Sequence, residues 1–391
     1  MSYAVLLVTR ELADDRRYGL GRSLQPIVDE LQLQGWRVRY LSQEDLPSAN
    51  RLRRTSWLAW LNKLPGVYKA PNRKIQLGAL AERVQMGWFA ARVAKKENFP
   101  AVYLHDPWLA CGFWIGIKLL GLSTVRWGIA EHGFGCYSRA THEDGLIQGP
   151  QAQRFLRRIE AFILSIAHWV TSPTNISLNQ LARDLALPSV PPHWHAIPHT
   201  TSNLKQQHRD HARYKLGWMQ EDLYVLGIGR LAPLKRFDLL VGAYIALAST
   251  FPFLHLQLLG GGDHAALQQM ADSAGVGDRI HFSTVEDVSP YLAAADIYVS
   301  TSATESFGLA NFEALVTGLP CICTAVGGVP EVMGSGAWLI PVDQTVLIDV
   351  LSELISSPQQ RSALAERAAA QASRAPDLQW IVSRYAKLFQ K

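Results

Sequence analysis

Two carboxylates eight positions apart, in Glu305-Ser-Phe-Gly-Leu-Ala-Asn-Phe-Glu313, have types and spacing that suggest chemistry. The apolar segment before them, Ala295-Asp-Ile-Tyr-Val-Ser-Thr301, reads as a buried strand. Helical periodicity over Phe307, Ala310, Phe312, Ala314 and Leu315 then stops at Gly318-Leu-Pro320. A strand feeding a helix through a tight turn aims unpaired backbone N–H groups and the positive helix end at one point, which suits a phosphate. Eight residues of helix rise about 12 Å, so Glu305 and Glu313 can contact opposite ends of one elongated anionic ligand. Upstream, the strand candidate Leu223-Tyr-Val-Leu-Gly-Ile-Gly229 runs into Arg230-Leu-Ala-Pro-Leu-Lys235. The arginine can grip phosphate oxygens bidentately, and the lysine adds a mobile point charge. Downstream, Pro320-Cys-Ile-Cys-Thr-Ala-Val326 reads as another strand, ending in Gly327-Gly-Val-Pro-Glu331. Two cations, two carboxylates and a helix start, all at carboxyl ends of parallel strands, describe a nucleoside-diphosphate cleft.

In these motifs the chain resembles the family-4 retaining glycosyltransferases of GT-B architecture. That pattern is Gly-Arg-Leu…Lys, then Glu-x7-Glu with Phe-Gly-Leu inside, then Gly-Gly-x-x-Glu, and all three stand here in order. The resemblance is strong over residues 220–345 and looser over the first half. It implies two Rossmann-like parallel-sheet domains facing a central cleft, with a last helix crossing back to the first domain. The domains would be residues 1–200 on the acceptor side and 201–372 for the nucleotide sugar. Residues 373–391 would form the crossover helix, for which Trp380-Ile-Val-Ser-Arg-Tyr385 has the apolar spacing. The activity implied is transfer of a sugar, with retention, from a UDP- or GDP-linked donor to a glycan, lipid-linked or small-molecule acceptor.

The resemblance also assigns roles. Glu305 would lie at the donor sugar and Glu313 at the ribose hydroxyls, where two acceptor oxygens match a vicinal diol. Arg230 and Lys235, with Gly229, Ser306 and the N–H groups near Phe307, Gly308 and Leu309, would neutralise the departing diphosphate. The GT-A class uses a divalent metal held by Asp-x-Asp for this, and no Asp-x-Asp occurs here, so no metal or cofactor is expected. In the first half, His105-Asp-Pro107 and Glu131-His132-Gly133 each follow a strand candidate. His132 is assigned to catalysis and His105 to the donor. Tyr18-Gly-Leu-Gly-Arg22 stands at the first glycine-rich loop, where Gly21 lets backbone approach the ligand. Ser306 replaces a common glycine and is expected to cap the helix. His199-Thr200 replaces Asn-Gly, and Thr284 replaces a glycine beside the nucleotide base.

Strand and helix signals alternate throughout, which argues for parallel α/β sheets. Strand candidates are Ala4–Val8, Arg37–Leu41, Ala101–Leu104, Thr124–Ile129 and Trp169–Thr171, then Tyr224–Gly227, His255–Leu259, Arg279–Phe282, Asp296–Ser300 and Cys321–Thr324. Residues 191–212, rich in proline and polar side chains, read as the interdomain linker.

At 391 residues, 48% apolar and 18% charged, the chain supports two domains with their own cores. The start lacks a basic leader, and Trp108–Leu122 carries Lys118 and is short for a span, so a cytoplasmic protein is expected. Four cysteines without metal-ligand spacing fit a reducing compartment. The net charge of +5 is uneven: residues 1–200 carry 24 basic and 15 acidic side chains, the remainder 14 and 18. Residues 51–100 alone hold 11 basic and 2 acidic. With Trp57, Trp60, Leu61 and Leu64 at helical spacing beside Arg53, Arg54 and Lys63, residues 50–96 fit an anionic membrane surface. Packing of both tryptophans onto the first sheet is the competing expectation. Nucleic acid is not an expected partner.

Other readings stay open. One is a GT-B epimerase or an inverting transferase; an inverting enzyme needs a base beside the acceptor, for which His132 or Asp106 qualifies. A catalytically inactive nucleotide-sugar-binding protein would have the same fold. Gly227-Ile-Gly229 after a strand suggests a nicotinamide enzyme, but no acidic residue stands about twenty positions on to hold the ribose.

Overall fold

The structure, a computed structural model, describes residues 3–9, 19–47, 71–143, 149–201 and 204–390. It comprises two compact units, residues 1–200 with 377–391 and residues 201–376. The tryptophan-bearing segment around 50–64 and Tyr18 lie outside the described residues.

In the first unit, β1 (Ala4–Val8), β2 (Arg37–Leu41), β3 (Ala101–Leu104), β4 (Arg126–Ala130), β5 (Trp169–Ser172) and β6 (Trp194–Ala196) form a sheet in the order β2-β1-β3-β4-β5-β6. Every pairing is parallel. All residues of β1, β3 and β5 are buried, which is why these strands read as unbroken apolar runs: helices cover both faces. Leu6, Val8, Val102 and Leu104 face one core layer with Met86 and Phe113. Val5, Leu7 and Tyr103 face the other, with Leu24, Ile27 and Leu31 of helix Gly19–Leu33. Gly128 sits mid-strand because a Cβ there would meet the Trp169 indole at 2.1 Å.

The last helix, Leu378–Gln390, belongs to this first unit. Its Ile381, Val382, Tyr385 and Phe389 complete the second core layer, and Gln379 donates to Glu30 at 2.8 Å. β6 corrects the reading of 191–212 as uniform linker: Trp194 pairs beside Val170 and His195 beside Thr171. Three residues between Pro192 and Pro198 are too few to show alternation.

In the second unit, β7 (Leu223–Ile228), β8 (Leu254–Leu259), β9 (Ile280–Ser283), β10 (Ile297–Ser300), β11 (Cys321–Thr324) and β12 (Ala337–Ile340) run in the order β12-β11-β10-β7-β8-β9, again all parallel. β12 is a further strand that the sequence reading lacks. The order reverses between β7 and β10, and at such a switch point the loops leaving neighbouring strands diverge to opposite faces and open a crevice. Those two loops carry Gly229–Lys235 and Thr301–Gly308. Among the described residues no helix is long and apolar enough to cross a membrane.

Candidate active site

The loop after β7 is held by backbone bonds to its neighbours. Gly229 N–H donates to Leu259 at 2.8 Å and Leu231 N–H to Gly261 at 2.9 Å. The run Gly260-Gly-Gly262, which the sequence reading passed over, explains how the loops approach so closely. A Cβ on Gly260 would lie 1.9 Å from the Gly229 carbonyl oxygen, and one on Gly262 would lie 2.9 Å from Leu231 Cβ. Thr284, exposed after β9, donates its hydroxyl to the Gly260 carbonyl at 3.3 Å and so joins the same set of loops. A triple glycine after an apolar strand was the available signal, but turns use the same residues.

The loop after β10 folds onto the first. Ala303 N–H donates to Leu234 at 2.8 Å, and the Thr301 hydroxyl donates to the Lys235 carbonyl at 2.9 Å. Lys235 Nζ forms an ion pair with Glu305 Oε1, and the Ser302 hydroxyl donates to the same oxygen at 3.2 Å. Lysine and carboxylate, assigned from sequence to different parts of a ligand, are thus direct partners across 70 residues of chain. An ammonium has three donors, so holding Glu305 uses only part of its capacity. Arg230 is exposed and makes no ion pair among the described residues. Both cations therefore stand at the switch point, Lys235 fixed and Arg230 free to swing.

The helix after this loop corrects two expectations. It spans Leu309–Val316, so Glu305 lies in the preceding turn and only part of the run to Glu313 is helical. Its N-cap is Gly308 at φ 80°, with no side-chain capping bond, so Ser306 is not the cap. Left-handed backbone there suits glycine, and a Cβ would also meet Asn311 Nδ2 at 2.7 Å. The result is a helix start without a side-chain cap, whose first N–H groups have no intrahelical partner. Phe307 is buried and stacks edge-on with Phe312, ring centroids 5.4 Å apart, which anchors the turn. Glu313 is buried at 4% exposure; on the same helix the side-chain carbonyl of Asn311 accepts from the Tyr298 hydroxyl at 2.8 Å.

In the first unit, His105 and His132 leave β3 and β4 and meet directly. His105 Nδ1 and His132 Nε2 are 2.9 Å apart, with rings stacked at 5.2 Å. His199, which no spacing argument selected, stacks on His132 at 5.8 Å. Burial, with His199 nearby, pushes His105 down to about 3. Burial lowers His199 to about 4 and, with both neighbours, holds His132 well below its ordinary range. The three rings are therefore neutral hydrogen-bonding groups at physiological pH. Among the described residues no cluster of histidine, cysteine, aspartate or glutamate is arranged to hold a metal.

Asp106 is not available as a base. It caps helix Pro107–Leu120, accepting from Trp108 N–H at 2.7 Å, and pairs with buried Arg83 at 2.9 Å. Glu131 lies beneath this layer; burial and the neighbouring Glu160 and Asp106 carboxylates raise it well above the usual range. Gly21, in helix Gly19–Leu33, is buried in the first unit.

Residues 208–371 match the model of glycosyl transferases group 1. D-inositol 3-phosphate glycosyltransferase of Nocardioides sp. is 27% identical over 283 residues, 66% of this chain and 61% of that protein. The chain spans 34% to 61% of the length of the first curated relatives it matches. Sucrose-phosphate synthase from Thermosynechococcus elongatus superposes with a TM-score of 0.76 at 21% identity, covering 99% of this chain and 98% of that one. Anabaena HepE in complex with UDP-glucose superposes with a TM-score of 0.72 at 18% identity, covering 99% of both. The chain thus has the GT-B fold, and within it residues 208–371 are similar to the glycosyl transferases group 1.

Proposed function

We propose that the chain is a retaining glycosyltransferase that moves a sugar from a nucleoside-diphosphate sugar, UDP- or GDP-linked, to a hydroxyl of a glycan, lipid-linked or small-molecule acceptor, without a metal. The observation that carries this reading is the meeting of Lys235, Glu305, exposed Arg230 and a helix start without a side-chain cap at one switch point. A relative named as a glycosyltransferase and a structural neighbour solved with UDP-glucose support it.

In this reading Arg230, Lys235 and the N–H groups after Gly308 stabilise charge on the departing diphosphate. Lys235 bridges that diphosphate to Glu305, which orients the donor sugar, while Glu313 takes the ribose diol. The bond from the anomeric carbon to the diphosphate oxygen breaks as the acceptor oxygen bonds on the same face. The acceptor proton passes to the leaving phosphate oxygen, so no protein base is needed. That suits neutral His132 as a hydrogen-bond partner for a sugar hydroxyl and leaves Asp106 to its structural ion pair.

Proton NMR of the product formed from α-linked UDP- and GDP-sugars tests the stereochemistry. An α-linked product is expected. A β-linked product assigns the chain to the inverting class, and binding without any turnover assigns it to the inactive one.

A further inference from the structure

Two helices of the first unit, Pro107–Leu120 and Pro150–Ile166, lie side by side. Trp108 packs with Leu156, Cys111 and Ile159 pack on that pair, and the Trp114 ring meets Phe162 edge-on at 5.3 Å. Their buried faces follow from this. Their outward faces do not, because large apolar side chains stand there in water: Phe155 is 63% exposed, Phe162 47%, Ile115 40% and Leu119 72%. Phe155 and Phe162 are seven positions apart, so they share one stripe, with Arg158 between them. Scattered exposed apolar residues are ordinary, but four on two adjoining helices form a patch that marks an interaction surface.

On the exposed faces of these two helices the charges are of one sign. Arg154, Arg157, Arg158 and Lys118 are exposed, and the only carboxylate on either helix, Glu160, is buried at 1% exposure. Helix Pro71–Glu97 brings Arg92, Lys95 and Lys96 nearby; Lys95 donates to the Leu120 carbonyl at 2.9 Å.

We propose that this face is a docking surface for an anionic lipid bilayer, with Phe155, Phe162, Ile115 and Leu119 entering the headgroup boundary and the arginines and lysines engaging lipid phosphates. Rings and aliphatic tips ringed by cations are what an interfacial surface requires. A second copy meeting the same face would bring its arginines against these, which the like charges oppose. A nucleic-acid surface would gain nothing from Leu119 and Ile115. The proposal concerns elements other than residues 50–70 and stands independently of the transfer reaction.

Co-sedimentation of the full chain with phosphatidylcholine vesicles, and with vesicles containing one quarter phosphatidylglycerol, tests it. Binding is expected only with the anionic vesicles and should weaken as salt rises. Each basic residue near such a surface adds about fivefold to the partition constant, so R154A/R157A/R158A should lose roughly a hundredfold. F155S/F162S should weaken binding at all salt concentrations. Thermal melting of R154A/R157A/R158A should match the wild type, since these side chains are exposed; F155S alone, which leaves the Phe162 contact with Trp114 in place, should also melt as the wild type and still weaken binding. Equal pelleting with both vesicle types, binding unchanged in these variants, or a salt-sensitive dimer in place of vesicle binding would each overturn the proposal. Nucleoside-diphosphate affinity, measured on the same samples, reports separately on the transferase reading.

Discussion

Gly260→Ala places a methyl group where the donor loop's backbone already stands. The new Cβ would sit 1.9 Å from the Gly229 carbonyl oxygen, 2.6 Å from its carbon and 3.3 Å from the Arg230 nitrogen. Tolerable contact begins near 3.0 Å, so backbone must move by at least 1.1 Å, and no flexible side chain is available to give way. Overpacking of this kind costs about 1–3 kcal/mol, and alanine at the φ of 151° adds strain of similar order, for a total of about 2–6 kcal/mol. The displaced atoms carry Arg230, so a shift of about 1 Å should also cost on the order of a hundredfold in turnover. Gly261→Ala is the internal control. Its Cβ would meet only Thr284 Cγ2, at 4.0 Å, so it should change stability by less than about 0.5 kcal/mol. Urea unfolding and calorimetric titration with UDP and GDP, run on both variants, give the comparison. If Gly260→Ala and Gly261→Ala behave alike, the close approach of the two post-strand loops is not what positions Arg230.

Arg230→Ala should lower turnover about 10²–10³-fold with the fold unchanged, because the side chain is exposed and makes no ion pair among the described residues; initial rates and melting curves check both halves. Glu313→Gln should mainly weaken nucleotide binding, whereas Glu305→Gln should leave nucleoside-diphosphate affinity nearly intact while lowering turnover; calorimetry showing the reverse would exchange their roles. Acid should destabilise the first unit through His105. Its folded pKa of about 3 lies below the ordinary 6.5, so the unfolded state binds the extra proton and stability falls as pH drops through that window. Two pH units below 6.5 that is about 2.7 kcal/mol, so His105→Asn should show a correspondingly smaller loss between pH 7 and 4.5 in urea melts.

Much of this architecture is legible in the sequence because buried parallel strands are continuous apolar runs. β1, β2, β3 and β11 stand where the apolar pattern places them, while β4 and β9 shift by one or two residues where polar ends blur the boundary. β6 is not legible, since a three-residue edge strand takes its identity from pairing with β5 and not from its own pattern. The apolar periodicity begins at Phe307, two residues before the helix itself, and Ser306 is a good cap in isolation. The left-handed Gly308 and the packing of Phe307 on Phe312 move the start to Leu309. Motif spacing located Arg230, Lys235, Glu305 and Glu313, but not the Lys235–Glu305 pair, which needs β7 and β10 to be neighbours. His199 joins His105 and His132 for the same reason: three strand ends separated by 94 positions converge only once the sheet order is known.

The central claim is that the β7–β10 switch point binds a nucleoside-diphosphate sugar by protein cations in place of a metal. Thermal-shift titration with UDP- and GDP-sugars in excess chelator, on the wild type and on R230A/K235A, tests it directly. At a hundred times its dissociation constant, at least one donor should stabilise the wild type by about 2.7 kcal/mol and leave the double variant unmoved. Stabilisation that requires added magnesium, or that persists undiminished in R230A/K235A, would contradict it.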